Sequence, residues 1–340
     1  MYLREYCAGD RGSEAPAPFP GEQDPALGRE RSAPGLNGKQ SGIRLGLCCL
    51  FKEEPIHFGI RQAVHLEKLE RKLQLAQLAA TILHNGAALI QAIEYCGQEG
   101  IGSFRVNSRI FPLKTHPLLG YGLEELPDYA AIDAIYRQAA QLAARQGIRL
   151  TFHPDQFTLL SSPDAGVTAR SLAELAYHAE AAELIGADVL TLHGGGAYGD
   201  KRAALRRVVA AIEKLPAAIR SRLALENDDR IYTPADLLPL CAGTGTPFVY
   251  DIHHHRCHPD GHTVEETTER ALATWQREPL FHLSSPREGW LSANIRPHHD
   301  FIDFNDLPAI WRHLRITVEV EAKAKEIAIK RLQQDLARPI

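Results

Sequence analysis

Short runs of leucine, β-branched and aromatic residues alternate along most of this chain with longer Ala-, Leu- and Arg-rich segments whose apolar positions recur at helical spacing. The short runs, read as strands, are IRLGLCC (43–49), SFRVN (103–107), RLTFH (149–153), DVLTLH (188–193), RLALEN (222–227), FVYDI (248–252), LFHLS (280–284) and ITVEVE (316–321). The long ones predict helices over 62–94, 129–146, 168–185, 200–215, 265–276 and 323–337, with a shorter one near 234–241. Helix starts carry their own signals. Thr168 is the expected N-cap of the helix that follows it, and Thr233 caps a helix with Pro234 at its first position, where a missing N–H costs nothing. Eight strands, each followed by helix, predict a (β/α)8 (TIM) barrel in a single domain of the α/β class, with a doubly wound parallel sheet as the alternative. Residues 1–41 break the pattern. They are crowded with Gly, Pro, Ser and charge, show no apolar periodicity, and are expected to form a disordered tail ahead of a barrel domain spanning 42–338.

Composition narrows the class more than the function. With 44% apolar residues in 340, the chain can bury a large core. A net charge of −4 gives no basic footprint for nucleic acid, although bound divalent cations would add positive charge that the count omits. No run approaches about 18 apolar residues, and the first thirty residues lack the apolar stretch of a signal peptide, so the expected compartment is the cytoplasm. The six cysteines (7, 48, 49, 96, 241, 257) include no C-x-x-C pair and are expected as reduced, partly buried thiols.

Polar residues gather where the predicted strands end. In a parallel barrel every strand's carboxyl end opens on one mouth, which is where such barrels keep their sites. His153 ends the third strand, His193 the fourth, Glu226 the fifth and Asp251 the sixth, with His254 just beyond; His282 lies in the seventh and Glu321 ends the eighth. One histidine or carboxylate at a strand end is most often a hydrogen-bonded loop anchor. Six consecutive strands ending this way point to a shared use. Imidazoles mixed with carboxylates, and no cysteine among them, suit Mn, Fe, Zn or Co better than Ca. The set is large enough for more than one ion, and Glu226, central in the strand order, is the natural bridge between two ions about 3.5–4 Å apart, a spacing used for displacement at phosphorus. Metal-assisted phosphodiester hydrolysis is the chemistry expected from these residues.

The blocks FRVNSRIFPLKTHP, FHPDQF, LHGGGAYGDK, LENDD, YDIHHHRCHPDG, FHLSSP, HHDFID and EAKAKE together resemble the UV-damage endonuclease family, in that family's order and from about residue 43 to 332. A single block such as HGGG would carry nothing. The family is similar to endonuclease IV in being a (β/α)8 barrel with a multi-metal site, and it nicks DNA on the 5′ side of UV photoproducts, and often at abasic sites, without ATP. Position by position, the resemblance implies that His153, His193 and Glu226 hold one ion, that Glu226, Asp251, His282 and Glu321 hold a second with Glu226 shared, and that His254 and His298 hold a third. His116, in LKTHP, would lie at the scissile phosphate and join Glu226 in catalysis. The implied cofactors are two or three divalent ions, Mn first, with Zn, Co or Fe as alternatives. The implied partner is damaged double-stranded DNA, bound by a monomer. Neighbouring choices stay open: His254 is preferred to His253 and His255 for its D-x-x-H spacing from Asp251, His298 adjoins His299, and Glu319 shares a strand face with Glu321.

The implied lesion contacts are Gln156 and Phe157, after HPD. Some family members carry a carboxylated lysine two residues before the strand-seven histidine; this chain has Leu280 there, so a third ion is expected to bind more weakly or differently. A tyrosine that some members place in the first strand is Leu47 here, expected to wedge between bases instead. Arg105, Arg109, Lys201 and Lys323 are candidates for gripping phosphate. Two other readings compete: a metal-dependent sugar isomerase on the same barrel, and a damaged-DNA-binding barrel without turnover.

Overall fold

The structure is a computed structural model that describes residues 42–338; the tail expected over 1–41 lies outside the described residues. Eight parallel strands, β1 (Arg44–Cys48), β2 (Ser103–Val106), β3 (Arg149–Phe152), β4 (Val189–His193), β5 (Leu223–Glu226), β6 (Phe248–Asp251), β7 (Leu280–Leu283) and β8 (Thr317–Val320), close into a barrel in chain order. The helices are α1 (Ala63–Leu66), α2 (Arg71–Gln98), α3 (Tyr129–Gln146), α4 (Ala165–Ile185), α5 (Lys201–Lys214), α6 (Ala217–Arg220), α7 (Pro234–Thr244), α8 (Ile252–Cys257), α9 (Val264–Ala273) and α10 (Glu326–Ala337). The expected TIM barrel is thus the fold. By length and composition alone α2 would suffice to cross a membrane, but half of that span is buried, the pattern of a core helix.

Alternation decides what the barrel encloses. Successive side chains of a strand point to opposite faces, and here one face is uniformly bulky and apolar: Leu45 and Leu47, Phe104 and Val106, Leu150 and Phe152, Leu190 and Leu192, Leu223 and Leu225, Val318 and Val320 all belong to one buried cluster with the helices. Each such residue contributes roughly 1.5–3 kcal/mol when fully buried. The other face points into the barrel and is small or polar. Gly46 packs closely there, where a Cβ would come within 3.1 Å of the Glu319 side chain and 3.2 Å of Ser103, so that a larger residue would press on both. Lower in the interior, Val189, Ala224, Val249 and Leu280 form an apolar floor with Trp275. Above that floor stand the residues of the candidate site.

Three expectations need correction. The helix predicted over 62–94 is two helices, a single turn and then the 28 residues of α2. Thr168 does not cap α4. That helix begins one turn earlier at Ala165, and the Asp164 carboxylate accepts the Val167 N–H at 3.0 Å; Ala165 and Gly166 carry no apolar signal that would have marked the turn. Thr233 does cap α7, in a reciprocal box with Asp236 and with Pro234 at the first position. Last, among the described residues no α-helix lies between β7 and β8. Pro286, Pro297 and Pro308 break the segment 284–316, which holds only the 3-10 turns Phe304–Asp306 and Ala309–His313. Fully buried Trp311 covers the wall there instead, its ring 5.1 Å from Phe281 and 5.8 Å from Tyr250.

Candidate metal centre

Strand register sets the site residues side by side. His193 pairs with Glu226 across β4 and β5, Asp251 with His282 across β6 and β7, and His282 with Glu319 across β7 and β8. Glu226 is fully buried, and four imidazoles from different parts of the rim surround its carboxylate. Oε2 lies 2.8 Å from His153 Nε2 and 3.7 Å from His193 Nε2; Oε1 lies 2.9 Å from His282 Nδ1 and 3.4 Å from His254 Nδ1. His282 Nδ1 also faces Glu321 Oε1 at 3.6 Å and Asp251 Oδ2 at 3.9 Å. Donor atoms of His153, His193 and Glu226 fall within 4.8 Å of one another, and so do those of Glu226, Asp251 and His254.

Local structure explains the D-x-x-H spacing. Asp251 is the N-cap of α8, and its Oδ1 accepts the His254 N–H at 2.7 Å, which turns both side chains toward the mouth and leaves Oδ2 free. Three rings are aimed in the same way. His153, His254 and His298 each donate Nδ1–H to a main-chain carbonyl, of Pro154 at 3.0 Å, Asn227 at 2.9 Å and Glu321 at 3.0 Å, which fixes the orientation of each ring. His255 is occupied elsewhere, between the Tyr250 hydroxyl and Asp260, and His253 is bonded to the Arg296 carbonyl. His299 accepts the Phe301 N–H and lines a separate cavity beside Asp303 and Arg331, so His298 rather than His299 belongs to the cluster, 3.7 Å from Glu321 Oε2.

Beneath the cluster lies a supporting layer. Glu319 accepts from Thr151 and Arg105 and lies 3.2 Å from His282 Nε2, on the far side of that ring from Glu226. Arg105 reaches Glu321 as well, at 2.6 Å. Burial works against the charge of Glu226, yet His282, His193 and His153 outweigh it and hold the carboxyl well below its usual range. Burial is likewise overcome at Glu319, which Arg105 and His282 hold at about 2. His282 is pushed down by burial but raised overall, to about 10, by Glu226. The acids are therefore ionised and clustered, and only cationic partners make such a cluster stable. Asp251 Oδ2 lies within ion-pair range of His254 and His282 but is buried without a hydrogen bond, as is His193 Nδ1. A buried carboxylate oxygen left without a donor costs on the order of 1–3 kcal/mol or more. N and O donors, a fully buried central carboxylate and an orphaned oxygen fit a divalent cation of the Mn, Fe, Co or Zn kind.

Two grooves flank the cluster. One of about 800 Å³ runs past His153 and is lined by His116, Arg109, Phe157, Arg61, Lys114 and Arg170 among others. A second, of about 480 Å³, adjoins His298 and Glu321 and holds Lys323, Lys325 and Arg296. Cys49, with its backbone in the left-handed region at φ 63°, touches both.

The sequence model of the UV-endonuclease UvdE family matches residues 43–339. This chain belongs to the UvdE family. A UV DNA damage endonuclease of Bacillus velezensis is 35% identical over 310 residues, 87% of this chain and 93% of that protein. That of Bacillus pumilus is 33% identical over 79% of this chain and 86% of its own length. The crystal structure of SacUVDE shares the fold, with a TM-score of 0.76 at 23% identity over 86% of this chain and 98% of that one. As a UvdE-family protein, the chain is a DNA-repair endonuclease, and its substrate is DNA.

Not every residue expected to serve the UvdE site is available to it. Leu47 is fully buried on the outer face of β1 against the helices and cannot reach a base; strand parity gives the mouth Cys48 instead. Arg105 is buried and its guanidinium is divided between Glu319 and Glu321, so it supports ligands rather than gripping phosphate. Lys201 is paired with Asp236 and stands over the Tyr232 ring. Arg109 and Lys323 are exposed and line the two grooves, and Phe157 is 75% exposed on a turn closed by the Asp155 carboxylate. Gln156 is exposed beside it. Leu280 lies in the apolar floor. Lys325 and Arg296 join the second groove although the sequence marks them weakly: Lys325 only by its two-residue spacing from Lys323, and Arg296 by nothing, since the pattern of its segment predicts no regular element.

Proposed function

We propose that this protein nicks double-stranded DNA on the 5′ side of UV photoproducts, and at abasic sites, by multi-metal hydrolysis at the cluster centred on Glu226. The observation that carries this reading is the fully buried Glu226 carboxylate, contacted on both oxygens by imidazoles from the residue after β3 and from β4, β7 and α8. His153, His193 and Glu226 would hold one ion, Glu226, Asp251, His282 and Glu321 a second, and His254 with His298 a third. Divalent ions there, Mn first with Zn, Co or Fe as alternatives, would lower the pKa of water and offset negative charge developing at phosphorus. The chain's own groups do the rest. His116 accepts two main-chain N–H groups at Nδ1, from Leu118 and Leu119, so its proton sits on Nε2, ready to donate to a phosphate oxygen in the groove it shares with His153. Lys323, Lys325 and Arg109 supply phosphate contacts on either side. Gln156 and Phe157 fill the gap left by a lesion that is already partly unstacked and therefore costs less to extrude than a normal base. The products are a 3′-hydroxyl and a 5′-phosphate. Residues 42–338 suffice for this activity, and the protein acts as a cytoplasmic, nucleoid-associated monomer.

The test is a nicking assay on UV-irradiated supercoiled plasmid after chelation, with and without added Mn²⁺. Nicks confined to irradiated plasmid and dependent on the ion support the proposal. Binding without nicking would make the barrel a damage-recognition protein, and neither binding nor nicking would return the sugar-isomerase alternative.

A further inference from the structure

In a barrel that closes in chain order, β3 and β7 stand on opposite sides of the mouth. The connection after β3 carries the exposed Phe157. The connection after β7 carries Leu291, whose side chain is exposed in full. A single exposed leucine is ordinary on a protein surface, but this one is held out by design of its loop. The segment 285–299 is closed at its base by the Pro286–His298 bridge, with Arg287 N–H donating to the Pro297 carbonyl at 2.7 Å and His299 N–H to Ser285 at 2.8 Å. Trp290, the preceding residue, is the anchor: its indole N–H donates to Asp306 at 2.7 Å, and its ring packs 5.3 Å from His253 and 5.6 Å from the Arg256 guanidinium. Past the tip, Ser292 N–H returns to the Gly289 carbonyl. The same loop delivers His298 to the metal cluster and Arg296 to the flanking groove.

The distribution of such residues is one-sided. Among the described residues, exposed large apolar side chains occur on helices and in the connections leaving the carboxyl ends of strands; none lies in a connection leading from a helix back into a strand. The apolar projections that lie outside helices therefore belong to the face that carries the cluster, where the substrate is DNA.

We propose that Leu291 is a second wedge, inserted into the duplex from the β7 side while Phe157 enters from the β3 side, so that damaged DNA is gripped at both edges of the mouth. A rigidly held leucine gains nothing from phosphates, and gains most where two base pairs are already unstacked, since that step opens at lower cost. This inference rests on the reading of the protein as a photoproduct endonuclease and adds a specificity-determining residue to it.

The experiment compares wild type, Leu291→Ser and Leu291→Met by titration of two duplexes at one salt concentration, one undamaged and one with a single photoproduct opposite 2-aminopurine. The expected result is a loss of affinity for the damaged duplex of about ten- to a hundredfold in Leu291→Ser, equivalent to burying one leucine side chain. Affinity for the undamaged duplex and metal content stay unchanged, Leu291→Met falls within about threefold of wild type, and the rise in 2-aminopurine fluorescence seen with wild type is absent with Leu291→Ser. Because the side chain touches nothing, neither substitution disturbs the fold. Wild-type affinity and fluorescence in Leu291→Ser would overturn the wedge, and so would equal losses on both duplexes. If wild type itself neither prefers the damaged duplex nor nicks it, the photoproduct reading fails first, and the two failures are told apart.

Discussion

At the scale of single residues the centre turns on charge rather than shape. Glu226→Gln keeps the size of the side chain but removes one of the negative charges facing His282 and His254, and a neutral amide cannot join two cations. Nicking is expected to fall by at least about a hundredfold, about 2.7 kcal/mol in barrier, with bound metal reduced and the far-ultraviolet spectrum unchanged; a variant that cuts irradiated plasmid at the wild-type rate would remove Glu226 from the bridging role. Glu319 poses a subtler question, because it shares its strand face with Glu321 yet faces the opposite side of His282. An amide there cannot satisfy Arg105, Thr151 and His282 together. Glu319→Gln is expected to weaken metal binding about 10–100-fold, the usual cost of losing an orienting partner, which a metal titration without DNA measures; an unchanged affinity would show Glu319 to be a packing residue.

Elements carry their own tests. The capping carboxylate of α4 is Asp164, so Asp164→Ala is expected to lower the melting temperature more than Thr168→Ala does, because Thr168 sits inside the helix with its hydroxyl on the Asp164 carbonyl; the reverse order would restore Thr168 as the cap. On the same helix His178 is buried against the Phe152 ring, and burial pushes its imidazole down to about 4. Its folded value is below its unfolded one, near 6.5, so between these values the unfolded chain binds the extra proton. The contribution of His178 is then fully present above about pH 6.5 and is lost as pH falls toward 4, up to about 3 kcal/mol. Unfolding in the presence of chelator should show wild type losing more stability than His178→Phe between pH 7 and 4.5; parallel curves would mean that His178 is not the group that titrates.

At the scale of the molecule, closure of the barrel brings residues far apart in sequence into one layer. Thr151 and Glu319 meet from β3 and β8, and Arg105 and His282 from β2 and β7, pairs that are not neighbours in the sheet and touch only because the sheet is closed. The UvdE match begins at residue 43. Removing residues 1–41 is expected to leave melting temperature and nicking within experimental error of the full chain, and a clear drop in either would assign the segment a docking role.

The order of strands and helices was legible in the sequence because apolar periodicity is a local property, and so was the list of strand-end histidines and carboxylates that gather at the mouth. The outward place of Leu47 is legible too, from strand parity: Leu45 and Leu47 share a face, and Gly46 lies on the other. What local pattern could not supply was distance across the barrel. That Glu226 is surrounded by four imidazoles, that Glu319 stands behind His282 while Glu321 stands before it, and that Arg105 is spent on both follow from register and closure, which fix positions only when all eight strands are in place. The helical turn after Asp251 that aims His254, and the helix-free segment after β7 that delivers His298, were likewise settled by tertiary packing, because six residues of helix and a proline-broken loop carry too little periodicity to declare themselves.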